Sequence, residues 1–140
     1  MNVYKEVSGL CSGNERVDLL VRCEGLVYWC DVSVAEPASS SYLDQSSKKV
    51  GWAAEEAEAM KASKWKKLAP GGTRVQPLVM ETSGRVGLEM IGFLKTTEKA
   101  SASGISDAYS RRDLVTQLSV TCLRYNVQCV REAVDGEPAL

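Results

Sequence analysis

Residues 17–34, "VDLLVRCEGLVYWCDVSV", hold two runs of Val, Leu, Tyr, Trp and Cys on either side of Glu24-Gly25. Runs of β-branched and aromatic residues read as strands, and the Glu-Gly pair between them reads as a two-residue hairpin turn. That turn sets the register. Cys23 faces Leu26, and paired residue numbers sum to 49. Asp18 and Asp31 obey the same sum, so they are expected opposite each other on one sheet face, with Cβ atoms roughly 4.5–5.5 Å apart. A three-residue loop would break this pairing. A carboxylate among apolar strand residues is costly without compensation, and two facing each other repel. Either one is protonated, or a cation lies between them; a hard divalent ion such as Mg²⁺ or Mn²⁺ takes oxygen ligands of this kind. The alternative is that each aspartate is neutralised by a lysine or caps a strand end.

From about Asp44 to Leu68 the composition turns to Ala, Glu, Lys and Met, which favours one long helix, with Gly51 softening its first turns. Val50, Ala54, Ala57, Lys61, Lys64 and Leu68 fall at the spacing of a single helical stripe. Lys61 and Lys64 therefore interrupt the apolar face of a helix whose alanines allow close approach to a sheet. A lysine there reaches a carboxylate pair, or a phosphate held by it; the alternative is snorkelling, with the ammonium at the sheet rim. Glu58 is spaced to pair with Lys61 at i+3, while Glu55 and Glu56 read as solvated. Glu81 reads either as a supporting group near the acids or as part of the cap of the following helix.

The rest of the chain organises around these segments. Residues 1–14 are short and ambiguous, and with 135–140 they are expected to be poorly structured. Strands are expected over 16–23, 26–35 and 74–82, with Pro77 marking an irregularity or a sheet edge. Helices are expected over 88–99 and 107–133. The order β-β-α-β-α-α over 140 residues predicts one α/β domain, a small mixed sheet flanked by helices. No apolar run reaches membrane-spanning length, and "MNVYKEVSG" lacks the apolar stretch of a signal peptide.

The chain has no histidine, which excludes Ser-His-Asp, Cys-His and histidine-based nuclease chemistry. Five cysteines, Cys11, Cys23, Cys30, Cys122 and Cys129, form no CxxC pair, and with no histidine this is not the pattern of a zinc ribbon or finger. They read as reduced thiols of an intracellular protein, mostly core, with Cys122 and Cys129 on one packed helix face. Net charge is −1, so affinity for a polyanion must come from local groups. The candidates for DNA backbone contact are Lys48, Lys49, Lys66, Lys67, Arg74 and Arg85, each of which read singly is ordinary surface. Two acids on a hairpin plus a lysine form the working set of a metal-dependent phosphodiesterase.

"VDLLVRCEGLVYWCDVSVAEP" followed by "KASKW" resembles the restriction-like endonuclease domain of site-specific non-LTR retrotransposons, within the PD-(D/E)XK nuclease superfamily. The pattern there is Pro-Asp, a second Asp about a dozen residues on, and a lysine moved from the strand to the following helix, often near an aromatic. Asp18 and Asp31 fall on the acidic positions, Lys61 on the migrated lysine, and Lys64-Trp65 on the lysine-aromatic end. "PLVMETSGRVG" is similar to a segment downstream of the nuclease motif in related element-encoded proteins. Val17 stands where the motif has proline, Ser33 stands where the ordinary superfamily lysine would be, and the helix that usually opens the core is barely supplied by residues 1–14. The resemblance, over roughly residues 16–94, implies a restriction-endonuclease-like fold and a metal-dependent, DNA-nicking endonuclease. It implies Asp18 and Asp31 as ligands of Mg²⁺ or Mn²⁺, Lys61 and Lys64 as catalytic cations, DNA as partner, and nuclear localisation. A reverse transcriptase or other domains of a larger parent protein are the further partners it implies. The competing readings are a catalytically inactive nuclease-fold domain that binds nucleic acid or protein, and a structural domain that homodimerises through its last helix.

Overall fold

The computed structural model describes residues 2–8, 16–102 and 111–135. Strands β1 (Asn2–Ser8), β2 (Arg16–Cys23) and β3 (Leu26–Ala35) are followed by a short helix α1 (Leu43–Ser46) and by α2 (Trp52–Lys66). Strand β4 (Thr73–Glu81) and helices α3 (Leu88–Ala102) and α4 (Arg111–Asp135) complete the chain. The sheet order is β1-β2-β3-β4. The first three strands form an antiparallel meander, and β4 lies parallel to β3, with α1 and α2 making the crossover that a parallel pair requires. The fold is mixed α/β, as the sequence predicts. Among the described residues no helix is long and apolar enough to cross a membrane.

The hairpin follows the expected register, with Cys23 opposite Leu26 and pairing that continues to Leu19 opposite Cys30. Glu24 and Gly25 have φ of 50° and 76°, the type I′ signature that matches the twist of a two-residue hairpin. Glu24 pays a steric cost in this left-handed conformation that asparagine largely avoids. Glu24→Asn is expected to raise stability by roughly 0.5–1 kcal/mol, read as a shifted midpoint in urea with an unchanged slope.

Two readings of the sequence differ from the structure here. The ambiguous amino-terminal segment supplies an edge strand, since residues 2–8 pair with β2; residues 9–15 and 136–140 lie outside the described residues. The single long helix over 44–68 is two helices. Gly51, at φ 82°, breaks it immediately before Trp52, and Val50 stands in the break at 74% exposure instead of starting a buried stripe. Pro77 does lie on an edge strand, where its missing N–H is tolerated.

Alternate residues of β3 and β4 feed separate cores on the two sheet faces. Tyr28, Cys30, Leu78 and Met80 pack with Met90 and Phe93 of α3, joined by Val115, Leu118 and Cys122 of α4. On the other face Ala53, Ala54 and Ala57 of α2 lie against Ala35 and Val79, so the helix rests close to the sheet. Farther along, Trp65 closes a cluster with Val17, Leu20 and Trp29, its ring meeting Trp29 edge-on at 6.0 Å. Burial pushes the Cys30 thiol up to about 12, so it stays protonated and inert in the core. Cys23 is buried too and Cys122 is half-buried, whereas Cys129 is exposed, bordering an open hollow with Glu36 and Thr82; Cys11 lies outside the described residues.

Two buried glutamates tie α2 to the sheet and α3 to α2. Glu81, at the end of β4, accepts from the Ala54 amide in the first turn of α2 (3.3 Å). Glu58, on α2, accepts from the Glu89 and Met90 amides at the start of α3 (3.1 and 3.4 Å). Each carboxylate takes the place of a local cap, satisfying amides that a helix cannot satisfy itself. Glu81 thus caps the preceding helix, not the following one, and Glu58 is a cap instead of a partner for Lys61.

Burial pushes the Glu58 carboxyl above the usual range; the two α3 amides oppose this, and the nearby charges of Glu89 and Glu55 reinforce it. Because the folded value lies above the unfolded one of about 4.3, the stability tied to this group is full below that pH. It is lost as pH rises through the folded value. Glu58→Gln keeps an acceptor without the charge, so it is expected to gain on the wild type at pH 7 relative to pH 4. Urea titrations at the two pH values measure the difference, and equal offsets at both would contradict it.

Candidate metal-dependent phosphodiesterase site

The α2-facing side of the sheet carries the residues singled out from the sequence. Strand β3 presents Asp31 between Trp29 and Ser33 on that side, and α2 crosses above it. Lys61 Nζ lies 2.7 Å from Asp31 Oδ2, with 23% and 15% of the two side chains exposed. Trp65 Nε1 donates to the same oxygen at 2.6 Å. One helical turn separates Lys61 from Trp65, so a single face of α2 delivers a cation and a neutral donor to one carboxylate oxygen.

Asp18 stands one residue beyond the last pair of the β2–β3 register. Its Oδ2 accepts from the Val32 amide at 2.7 Å, which takes a backbone donor just past the ladder and fixes the carboxylate beside Asp31. Asp18 is close enough to Asp31 to act on its carboxyl. Burial alone would raise the Asp31 carboxyl. The Lys61 and Trp65 hydrogen bonds, the Lys61 charge and the Asp18 contact outweigh it and hold Asp31 below the usual carboxylate range. The raised value expected from mutual repulsion is therefore not what Asp31 shows, because its compensation comes from protein donors. The sequence alternative of an aspartate neutralised by a lysine describes Asp31, and the alternative of a strand-end cap describes Asp18.

Lys64 is placed differently from the sequence expectation. It is exposed, and its ammonium sits 4.8 Å from the Trp65 ring centroid. The inner stripe of α2 runs through Ala54, Ala57, Lys61 and Trp65, so Trp65 takes the position assigned to Lys64. A step of four residues from Lys61, in place of three, would have selected the indole; its N–H is the one polar group a buried tryptophan must satisfy.

The six basic residues proposed for a DNA backbone divide between the two ends of α2, which as a 15-residue helix spans about 22 Å. Lys66 and Lys67 are exposed at the end of α2, one to two turns beyond Lys61, whereas Arg74, paired with Tyr28 at the start of β4, is exposed on the opposite, α3-facing side of the sheet. At the other end Lys48 is paired with Asp44 at 2.7 Å, Lys49 with Glu55, and Arg85 lies against Gly51. Of the six, Lys66 and Lys67 share both an end of α2 and a side of the sheet with Lys61.

The donor set suits a hard cation, since both acids offer oxygen and one of them is held ionised. Among the described residues no group of three or more Cys, Asp or Glu side chains is gathered for a metal. Magnesium commonly takes one or two carboxylates and completes its shell with water and substrate phosphate, so Asp18 and Asp31 suffice as the protein's share. The chain matches no family model and no curated protein.

Proposed function

We propose that this domain is a metal-dependent DNA endonuclease of the restriction-like, PD-(D/E)XK type, of mobile-element origin, nicking phosphodiesters at the Asp18–Asp31–Lys61 site. The observation that carries the reading is the convergence of Asp31, Lys61 and Asp18 on one sheet face, from segments far apart in the sequence. A mixed four-stranded sheet with helices on both faces agrees with the fold expected of that superfamily. Asp18 and Asp31 would hold Mg²⁺ or Mn²⁺, which supplies Lewis-acid polarisation of the scissile phosphate. Lys61, beside Asp31, is positioned to offset charge developing on the phosphate oxygens. Trp65 orients Asp31 through its indole N–H, and the Val32 amide orients Asp18. Lys66 and Lys67 supply the backbone contacts at the same end, so binding weakens with salt and shows little sequence preference. On this reading the protein works in the nucleus beside the reverse transcriptase of its parent element.

Supercoiled plasmid incubated with the protein is expected to convert to the open-circular form in Mg²⁺ or Mn²⁺ and not in EDTA. The same ions should raise the melting temperature by mass action. The absence of both effects would refute the catalytic reading and leave a nuclease-fold binding module in its place.

A further inference from the structure

The sheet face that carries Asp31 continues past the cover of α2. Directly paired residues share a face, and Trp29 pairs with Leu20, which pairs with Tyr4, so Tyr4 lies on the side of Trp29 and Asp31. Arg22, two residues along β2 from Leu20, is on that side as well. Helix α2 lies over β3 and β4, and the Trp65 cluster reaches as far as Leu20 and takes in no described residue of β1. Asn2, Val3, Tyr4 and Lys5 are all exposed, Tyr4 to 48%. Arg22 is exposed too, and its guanidinium lies over the Tyr4 ring, 6.0 Å from the centroid. Among the described residues no carboxylate pairs with that guanidinium. With strands about 4.8 Å apart and a rise of about 3.3 Å per residue, Tyr4 stands about 12 Å from Asp31, or roughly three to four base steps of a nucleic-acid strand.

We infer that Tyr4 and Arg22 form a subsite for one unpaired nucleotide of the DNA strand, with the base stacked on the ring and a flanking phosphate met by the guanidinium. The identity of the strand rests on the proposed nuclease reading; the subsite itself rests on the register and the exposures. An open sheet face bearing a planar ring and a basic group suits a single strand, since every base has a π-face and every nucleotide a phosphate. A continuous duplex cannot use it in the same way. Its base faces are covered by their neighbours, and only its phosphates are left for Arg22. The substrate class that follows is DNA with a frayed, bulged or single-stranded stretch roughly three to four bases from the scissile phosphate.

The test measures binding of the full chain in EDTA, where cleavage plays no part, to a fluorescent oligothymidylate of about twelve nucleotides and to a blunt duplex of the same length. Anisotropy is expected to show the single strand bound about tenfold or more tighter than the duplex at matched salt. Tyr4→Ala should weaken the single strand about 5- to 150-fold and the duplex less than about twofold. Tyr4→Phe should retain single-strand affinity. Tyr4→Thr keeps the β propensity of the strand and should reproduce the loss, which tells a missing ring from a loosened β1. Arg22→Ala should weaken both ligands and flatten the salt dependence by about one phosphate contact. Unchanged single-strand affinity in Tyr4→Ala, an equal loss for both ligands, or no preference for the single strand would overturn the inference. Tighter binding of an oligouridylate of the same length would overturn the assignment to DNA. Plasmid nicking without Tyr4-dependent binding would refute the subsite alone, and Tyr4-dependent binding without metal-dependent nicking would refute catalysis alone.

Discussion

Lys61→Ala is expected to lower the plasmid-nicking rate by about 10²–10³-fold while the metal-induced rise in melting temperature persists. The ammonium sits at the carboxylate that would hold the ion and contributes no ligand, so its loss falls on the reacting phosphate more than on the metal. The same change should destabilise the fold by about 1–3 kcal/mol, because Asp31 is largely buried, held ionised, and left with the indole as its remaining α2 donor. Asp31→Asn should abolish nicking and the metal shift together. Mutual repulsion of the two acids, taken alone, would make this substitution neutral or stabilising without metal. The structure reverses that sign, since Asp31 is the counterion of Lys61, and the expected cost is again about 1–3 kcal/mol. Combining the two substitutions should cost about 1 kcal/mol or more less than the sum of the single changes. An Asp31→Asn protein as stable as the wild type, or a strictly additive pair, would show that the ion pair is not energetically coupled.

Gly87→Ala is expected to cost about 2–4 kcal/mol without touching the candidate site. A Cβ at residue 87 would overlap Glu58 Oε1 and stand 2.7 Å from its Cδ and 3.0 Å from the Val79 carbonyl oxygen. Glu58 is the far end of a side chain and is able to move, but it is buried and holds the first amides of α3. Moving it leaves those amides and the carboxylate without partners, each a desolvation cost of about 1–3 kcal/mol. In a Glu58→Ala background the overlap disappears, and Gly87→Ala should then cost about 1 kcal/mol or less. A full-sized effect in both backgrounds would place the fault at the Val79 carbonyl and not at the cap.

The pairing of β2 with β3 was legible because a two-residue turn and a period of two leave little freedom, and one count of residue numbers brings Asp18 beside Asp31. Lys61 was legible for a similar reason, as a charge on the apolar face of an alanine-rich helix. Trp65 was not, because steps of three and four residues both satisfy a helical period, and only the crossing of α2 over β3 decides between them. Strand β1 was hidden because its exposed Val3 and Tyr4 show little of the burial alternation that marks a strand between neighbours. The roles of Glu58 and Glu81 were beyond pattern altogether. Each serves a helix terminus far away in the chain, and sequence rules for caps look only at residues next to the terminus.

The capping by Glu81 and Glu58 gives the molecule a sequence of dependence. The last strand secures the start of α2, and α2 in turn secures the start of α3. Loosening β4 at its far end would release both helices together, and with α2 the lysine and the indole that attend Asp31. In amide-exchange terms, the first turns of α2 and α3 belong to one cooperative opening unit with the end of β4, even though they lie on opposite faces of the sheet. The candidate site therefore opens and closes with a part of the backbone that carries none of its residues.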